Sequence, residues 1–203
     1  VLTEKDIEAP LRRLMTAFFK AGFYDTPHID AEAEIHTPDH VALAEKAAAE
    51  GMVLLKNEGN LLPLNAEEKK HIVVMGRTAL DTTSGGGGSS FIKSDNKIDI
   101  VTGLALEVPE VTLEQIPYRN HRLTSEEKDS IINADAVILC AGFTTWEESE
   151  CYDRTWELPE KQAVLIRKVA ALNPNTVVVL SVGGGLETES WVHEVPAVLH
   201  SLY

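Results

Sequence analysis

The sequence predicts an α/β domain, a three-layer α/β/α sandwich built on a mostly parallel sheet of five to six strands. Short, nearly continuous apolar runs alternate along the chain with segments of helical periodicity. Such runs are typical of strands buried on both faces of a parallel sheet, and the helices between them are typical of crossover connections. A hydrophobic content of 44% in 203 residues is enough to bury a full core. Together these observations favour a flavodoxin-like arrangement.

Five strands can be assigned individually from their apolar runs. They are residues 71–76, 111–117, 136–141, 176–182 and 197–202. In sheets of this kind, ligands bind outside the carboxyl ends of the strands. The loops that follow Gly76, Ala141 and Val182 are therefore the places where a functional site is expected.

Apolar positions at helical spacing predict the remaining elements. The first helix spans residues 3–20, where Thr3 and Asp6 form a capping-box pattern. In the predicted helix 125–134, Ser125 is the expected N-cap. The other predicted helices are residues 41–50, 98–107, 159–172 and 187–193.

Three regions follow from these elements. Residues 1–24 carry an apolar stripe with little surrounding chain to cover it, which predicts the last helix of a preceding domain. Residues 25–65 form a linker and an entry helix, and the apolar runs at 52–55 and 61–64 predict a hairpin-like link within it. Residues 66–203 form the sandwich domain.

The chain is acidic, with a formal net charge of −14. An acidic surface repels phosphate backbones, so no nucleic-acid partner is expected. No apolar run is long enough to cross a membrane, so no membrane partner is expected either. Cys140 and Cys151 lack disulfide or metal-binding spacing, and the seven histidines form no ligand cluster. We therefore expect neither a metal nor a cofactor, and the cysteine usage favours a cytoplasmic location.

A glycine-rich segment follows the first predicted strand. Gly85–Gly88 precede Ser89 and Ser90. Glycines permit close approach of a ligand to the backbone, so a phosphate-binding loop is conceivable. However, no P-loop lysine follows and the GxGxxG spacing is absent, which argues against a nucleotide. A loop without a ligand and a loop bordering a sugar site both remain open.

Two other candidates are best interpreted as structural. Gly183–Gly185 follow a strand of β-branched residues and are typical of a strand-to-helix turn. Ser181, like the serines of the glycine-rich segment, lacks the GxSxG context of a hydrolase nucleophile.

The most informative segment is residues 143–159, which follow the strand 136–141. It concentrates carboxylates, aromatic side chains and one base: Glu147, Glu148, Glu150, Asp153, Trp146, Tyr152, Trp156 and Arg154. Crowded carboxylates raise one another's pKa, and a protonated carboxyl group can donate to a leaving group. On composition alone, a solvated loop in which Asp153 pairs with Arg154 is the favoured interpretation.

Several motifs occur in the order found in family 3 glycoside hydrolases of the β-glucosidase type. The chain opens with DIEAPLRRLMTAFFKAGFYD and continues with HVALAEKAAAEGMVLLKNEGNLLPL. GGGGSS, WEESECYDR followed by LPEKQ, and NPNTVVVLSVGGG come next. In each case the segment resembles its counterpart in that family, and the resemblance covers nearly the whole chain.

This resemblance implies a retaining glycosidase whose site lies between a TIM-like barrel and an α/β sandwich. Residues 1–24 would then be the terminal helix of the barrel, which supplies an aspartate nucleophile. The motif places the general acid/base at Glu150, with Glu148 as second choice. It also implies substrate binding by Trp146, Ser89 and Ser90. Asp153 and Arg154 would keep the loop in shape.

The implied partners are a small β-glycoside or oligosaccharide and the barrel domain of the same polypeptide. The resemblance also implies that the sandwich domain of residues 66–203 is incomplete at its C-terminal end. The barrel is absent from these 203 residues, so we expect the chain alone to be inactive. Cys151 stands where the family usually has glycine, and an extra glutamate follows Trp146. A non-catalytic carbohydrate-binding domain is the alternative function.

Overall fold

The computed structural model describes residues 2–25, 32–34, 36–94 and 97–203. The chain divides into two units, Val1–Ala44 and Glu45–Tyr203. No helix within the described ranges is long and apolar enough to span a membrane.

The first unit contains helix α1 (Glu4–Lys20) and the start of α2 (Pro38–Gly51). The Asp6 carboxylate accepts hydrogen bonds from the backbone N–H of Thr3 at 2.8 Å and from its hydroxyl at 2.6 Å. The predicted capping box is therefore confirmed. No residue of α1 is buried, and Ile7, Leu11 and Phe19 lie on its exposed surface. The assignment of this helix to a barrel stays a prediction.

The second unit contains a six-stranded sheet. Its strands are β1 (Val53–Asn57), β2 (His71–Gly76), β3 (Thr112–Ile116), β4 (Ala136–Gly142), β5 (Thr176–Ser181) and β6 (Ala197–Ser201). Their order is β1-β6-β5-β4-β2-β3, and β1 alone among them runs antiparallel to its neighbour. The predicted mostly parallel sheet is confirmed, and all seven residues of β4 are buried, as its apolar run requires.

Helices cover both faces of the sheet. Besides α2, the second unit contains α3 (Ile100–Glu107), α4 (Ser125–Asn133) and α5 (Gln162–Leu172). α4 and α5 pack on one face, where Ile131, Leu165 and Trp191 are fully buried. α3 packs on the other face, over Ile72 and Val74. These contacts give the three layers that the sequence predicts.

The predicted hairpin within residues 52–64 is wrong. β1 pairs with β6 instead, and Val53 lies opposite His200. Residues Glu58–Asn60 form a 3₁₀ turn, after which the Asn57 amide holds the chain through both backbone groups of Leu62. The two apolar runs therefore do not pair with each other, because the partner strand of the first run is distant in the sequence.

Two local assignments also differ from prediction. The N-cap of α4 is Thr124 rather than Ser125, since the Thr124 hydroxyl accepts from the Glu127 N–H and Glu127 reaches back to the Thr124 N–H. Of the predicted helix 187–193, only Val192 and His193 are helical, as part of the 3₁₀ turn Val192–Glu194. Glu187 there accepts from the backbone and hydroxyl of Ser190, a local turn that competes with a helix.

The order of the parallel strands creates a crevice. Counted along the chain, β2 to β6 follow the 2-1-3-4-5 order of flavodoxin-like sheets, in which the first and third strands are neighbours. α3 follows β2 on one face, and α5 follows β4 on the other. The chain therefore leaves these two adjacent strands in opposite directions. Their carboxyl ends mark the topological switch point where ligands bind in such folds.

Candidate active site at the switch point

Three loops meet at the carboxyl edge of the sheet. We call them the glycine loop (residues 85–90, after β2), the acidic loop (residues 143–159, after β4) and the third loop (residues 183–185, after β5). Gly87 and Ser149 form a parallel β-bridge. The Gly87 N–H donates to the Glu148 carbonyl at 2.9 Å, and the Glu150 N–H donates to the Gly87 carbonyl at 3.3 Å. The glycine and acidic loops are thus joined through their backbones.

The glycines allow this close approach. A Cβ on Gly87 would lie 2.6 Å from both the Ser149 hydroxyl and the Thr145 carbonyl oxygen. A Cβ on Gly88, where φ is +80°, would lie 2.5 Å from the Cβ of Glu150. The structure therefore gives these two glycines a packing reason to be small, independent of any phosphate group.

Glu150 lies on the exposed side of this junction. Its Oε2 accepts a hydrogen bond from the Ser89 N–H at 2.9 Å and another from the Ser89 hydroxyl. The hydroxyl and backbone hydrogen bonds from Ser89 lower the pKa of Glu150. Crowding was expected to raise the pKa of a carboxylate here, but the donors of the glycine loop reverse that direction in this chain.

Glu147 is held at the base of the acidic loop. Its Oε2 accepts from Arg77 at 2.6 Å, from the Thr144 N–H at 2.9 Å and from the Thr144 hydroxyl at 3.0 Å. Burial raises the pKa of Glu147, but the hydrogen bonds from Arg77 and Thr144 outweigh it and the pKa is lowered. The sequence did not reveal Arg77 as a partner, because it lies 70 residues away.

Glu148 joins the acidic loop to the third loop. Its Oε2 accepts from the Gly183 N–H at 2.8 Å, and its Oε1 lies 2.6 Å from the Nε of Arg154. The Arg154 guanidinium also donates to the Gly185 carbonyl and lies 4.6 Å from the centre of the Phe143 ring. Glu148 and Arg154 are mostly buried, so this pair fixes the loop.

The Asp153–Arg154 pair of the solvated-loop interpretation does not form. Asp153 is exposed, and its side chain makes no ion pair or hydrogen bond with any described residue. Cys151 has φ of +68°, a left-handed conformation that suits the glycine usually found at this position in the family.

A cleft of about 580 Å³ opens between the loops. Its volume is in the range of small-molecule sites. The lining residues are Ser84, Gly85, Gly86, Ser90, Glu148, Tyr152, Arg154, Gly183, Gly184 and Tyr203. Ser90 thus lines the cleft, whereas Ser89 binds Glu150. Trp146 is 87% exposed, and Tyr152 and Trp156 are also exposed, so each presents a ring face to solvent.

No cluster of three or more metal-ligating side chains occurs within the described part of the chain.

Gly142, the last residue of β4, is held by Gln162, a buried side chain at the start of α5. Its Oε1 accepts from the Gly142 N–H at 3.0 Å, and its Nε2 donates to the Gly142 carbonyl at 2.9 Å. These two bonds satisfy a backbone position that lies directly before the acidic loop.

We expect Gln162→Leu to lower the free energy of unfolding by about 1–3 kcal/mol, because it leaves buried backbone groups of Gly142 unpaired. Hydrogen exchange at Gly142 and Phe143 should accelerate. Gln115→Leu, at an exposed position of β3, is the matched control. Equal denaturation midpoints for the Gln162 and Gln115 variants would contradict this role.

Fold and loops together define a class: an α/β domain that presents a ligand cleft and an exposed carboxylate at its switch point. The model of the glycosyl hydrolase family 3 C-terminal domain matches residues 52–203. The chain therefore belongs to this family, and the resemblance seen in its motifs is confirmed.

Named relatives are glycosidases. An exo-α-(1→6)-L-arabinopyranosidase of Bifidobacterium longum is 35% identical over 176 residues, which cover 80% of this chain and 23% of that protein. The thermostable β-glucosidase B of Acetivibrio thermocellus is 32% identical over 200 residues, which cover 94% of this chain and 26% of that protein. The chain thus spans about a quarter of the length of these relatives.

Solved structures of β-glucosidases contain the same fold. The family 3 β-glucosidase of Bifidobacterium adolescentis matches with a TM-score of 0.73 and 31% identity, over 85% of this chain and 26% of that one. The β-glucosidase of Listeria innocua, in complex with isofagomine, matches with a TM-score of 0.83 and 26% identity. The match covers 100% of this chain and 29% of the Listeria chain.

Proposed function

We propose that this chain supplies the general acid/base of a retaining β-glucosidase or β-xylosidase-like hydrolase, and that a barrel domain of the same polypeptide supplies the nucleophile. One observation carries the assignment to Glu150. Of the three clustered glutamates at positions 147, 148 and 150, Glu147 is bound by Arg77 and Glu148 by Arg154. Glu150 is exposed, and its Oε1 has no hydrogen-bond partner among the described residues.

In the first step, Glu150 protonates the departing glycosidic oxygen while an aspartate of the barrel attacks the anomeric carbon. The two carboxyl groups of a retaining site lie about 5–5.5 Å apart. In the second step, Glu150 as carboxylate takes a proton from the water that hydrolyses the glycosyl ester. The Ser89 hydrogen bonds favour this basic form.

The protonated form of Glu150 that the first step requires depends on the complete site, with the nucleophile of the barrel in place. A charged nucleophile a few ångströms away and exclusion of water both raise the pKa of a carboxyl group. Once the nucleophile is esterified, its charge is gone and the Ser89 hydrogen bonds again dominate. The lowered pKa of Glu150 in this chain thus suits the second step, in which Glu150 acts as a base.

Substrates of this class are terminal β-linked glycosides or oligosaccharides. We assign contacts with the sugar to Trp146, whose exposed ring offers a stacking face, and to the serines of the glycine loop. Ser90 lines the cleft directly, and Ser89 orients the Glu150 carboxyl group that would protonate the glycosidic oxygen.

The divided site is tested by assaying this chain alone and joined to its barrel domain. We expect no turnover of aryl β-glucosides or β-xylosides by the isolated 203 residues, provided that circular dichroism shows them folded. The two-domain polypeptide should be active. Substantial turnover by the isolated chain would refute the proposal.

A non-catalytic carbohydrate-binding domain is the second candidate. The observation in its favour is the lowered pKa of Glu150, which opposes proton donation. Sugar binding by the isolated chain, together with an inactive two-domain polypeptide, would decide for it.

A further inference from the structure

A second cleft, separate from the three loops, lies between α4 and α5. Its volume is about 610 Å³. The lining side chains are His121, Arg122, Leu123, Lys128, Lys168, Ala171 and Leu172. Three of them are cationic, and no carboxylate lines the cleft. This is unusual for a chain with 32 acidic residues against 18 basic ones.

The cations around this cleft contribute to the electrostatic environment of His121. Partial burial, followed by the charges of Lys161, Lys168 and Arg122, lowers the pKa of His121. None of the three acids of α4 (Glu126, Glu127 and Asp129) lines the cleft, and the Glu127 carboxylate binds Arg119 outside the lining. Cations gathered without counter-charges repel one another, which costs free energy unless an anion neutralises them.

The donors of this cleft are available. The side chains of Arg122 and Lys128 make no hydrogen bond or ion pair within the described ranges. Lys168 donates one hydrogen bond to the His121 carbonyl at 3.0 Å, which leaves two of its three ammonium hydrogens. A guanidinium fork and two ammonium groups are the donors that phosphate oxygens prefer.

The rest of the lining is apolar. Leu123, Ala171 and Leu172 complete the walls, and the cleft is several times larger than a phosphate ion. An acidic chain also repels anions at long range, so the affinity for an anion has to come from short-range contacts with the cations of the cleft. We propose that this cleft binds the phosphate group of a small molecule, either free phosphate or a phosphomonoester, independently of the glycosidase function.

The test titrates the 203-residue chain at low ionic strength with inorganic phosphate, glucose 6-phosphate and glucose, by calorimetry and by the ring resonances of His121. We expect saturable binding of the two phosphates, with Kd of roughly 1 mM or below, and none of glucose. A tighter Kd for glucose 6-phosphate assigns the site to a phosphorylated metabolite, and equal values assign it to free phosphate.

The double variant Arg122→Gln, Lys128→Gln should weaken phosphate binding by about tenfold or more, because both lost groups are charged donors. Lys70→Gln is the control, since this exposed lysine does not line the cleft and its ammonium group donates to the Ala66 carbonyl. Equal affinity of the double variant and the wild type would overturn the proposal. So would absence of saturation, or tighter binding of hexaglutamate than of either phosphate.

Discussion

Glu150→Ala in the two-domain polypeptide is expected to lower kcat/KM by about 10²–10⁴-fold for an alkyl glycoside, which needs a proton on its leaving group. A dinitrophenyl glycoside should lose far less in the glycosylation step, because its leaving group departs without protonation. Hydrolysis of the glycosyl ester then becomes rate-limiting, since no base remains to activate water.

Azide should restore turnover of the dinitrophenyl glycoside, because this anion attacks the ester without general-base assistance. The product is a glycosyl azide of retained β configuration, which is identified directly by NMR. Failure of azide to rescue, combined with an equal loss on both glycosides, would remove Glu150 from the acid/base role.

Two glutamate variants make this result specific. Glu157→Ala removes another exposed carboxylate of the acidic loop and should leave both rates within about twofold. Glu148→Gln weakens the contacts to Arg154 and Gly183, so it should lower the melting temperature and slow both glycosides alike. Azide rescue of the Glu148 variant, and not of the Glu150 variant, would transfer the assignment to Glu148.

A large effect on stability is expected at Gly76, the last residue of β2. Its φ is +109°, and a Cβ there would lie 2.1 Å from the carbonyl oxygen of Cys140 on the adjacent β4. Alanine would combine an unfavourable backbone conformation with overlap against a central strand. We expect Gly76→Ala to lower the free energy of unfolding by about 3 kcal/mol or more.

The measurement is the denaturation midpoint of the isolated chain, with Gly103→Ala as the control. Gly103 lies within α3, and its nearest contact to an added Cβ is the Ile98 side chain at 3.8 Å. Alanine there should stabilise by up to about 1 kcal/mol through helix propensity. A Gly76 variant as stable as the wild type would show that β2 and β4 can separate at their carboxyl ends without cost.

The sequence predicts the central part of the sheet well. The apolar runs of β2, β4 and β5 agree with the structure within about one residue, because strands buried on both faces leave a continuous signal. The pairing of β1 with β6 was missed, since no local pattern records a partner some 140 residues away. The turn at 192–194 was missed because capping by Glu187 looks like helix initiation in the sequence.

The candidate site, too, could be predicted from the sequence only in part. The carboxyl ends of β2 and β4 predicted that the glycine and acidic loops would be neighbours, and the Gly87–Ser149 bridge joins them. Composition could not say which glutamates are neutralised, because that depends on Arg77 and on the third loop. Nor could it find Gln162, whose partner is a backbone group rather than a recognisable side chain.

The antiparallel strand β1 also sets the order in which this domain can fold. Among the six described strands, Val53–Asn57 leaves the ribosome first, yet its partner in the sheet, β6, is the last of the six to be synthesised. The five parallel strands can pair with one another first, and β1 then joins the sheet as its edge strand beside β6. Pairing over so long a separation is slow because loop closure costs entropy. Until then β1 keeps unpaired backbone groups exposed, so newly made chains should be most prone to aggregation in this interval.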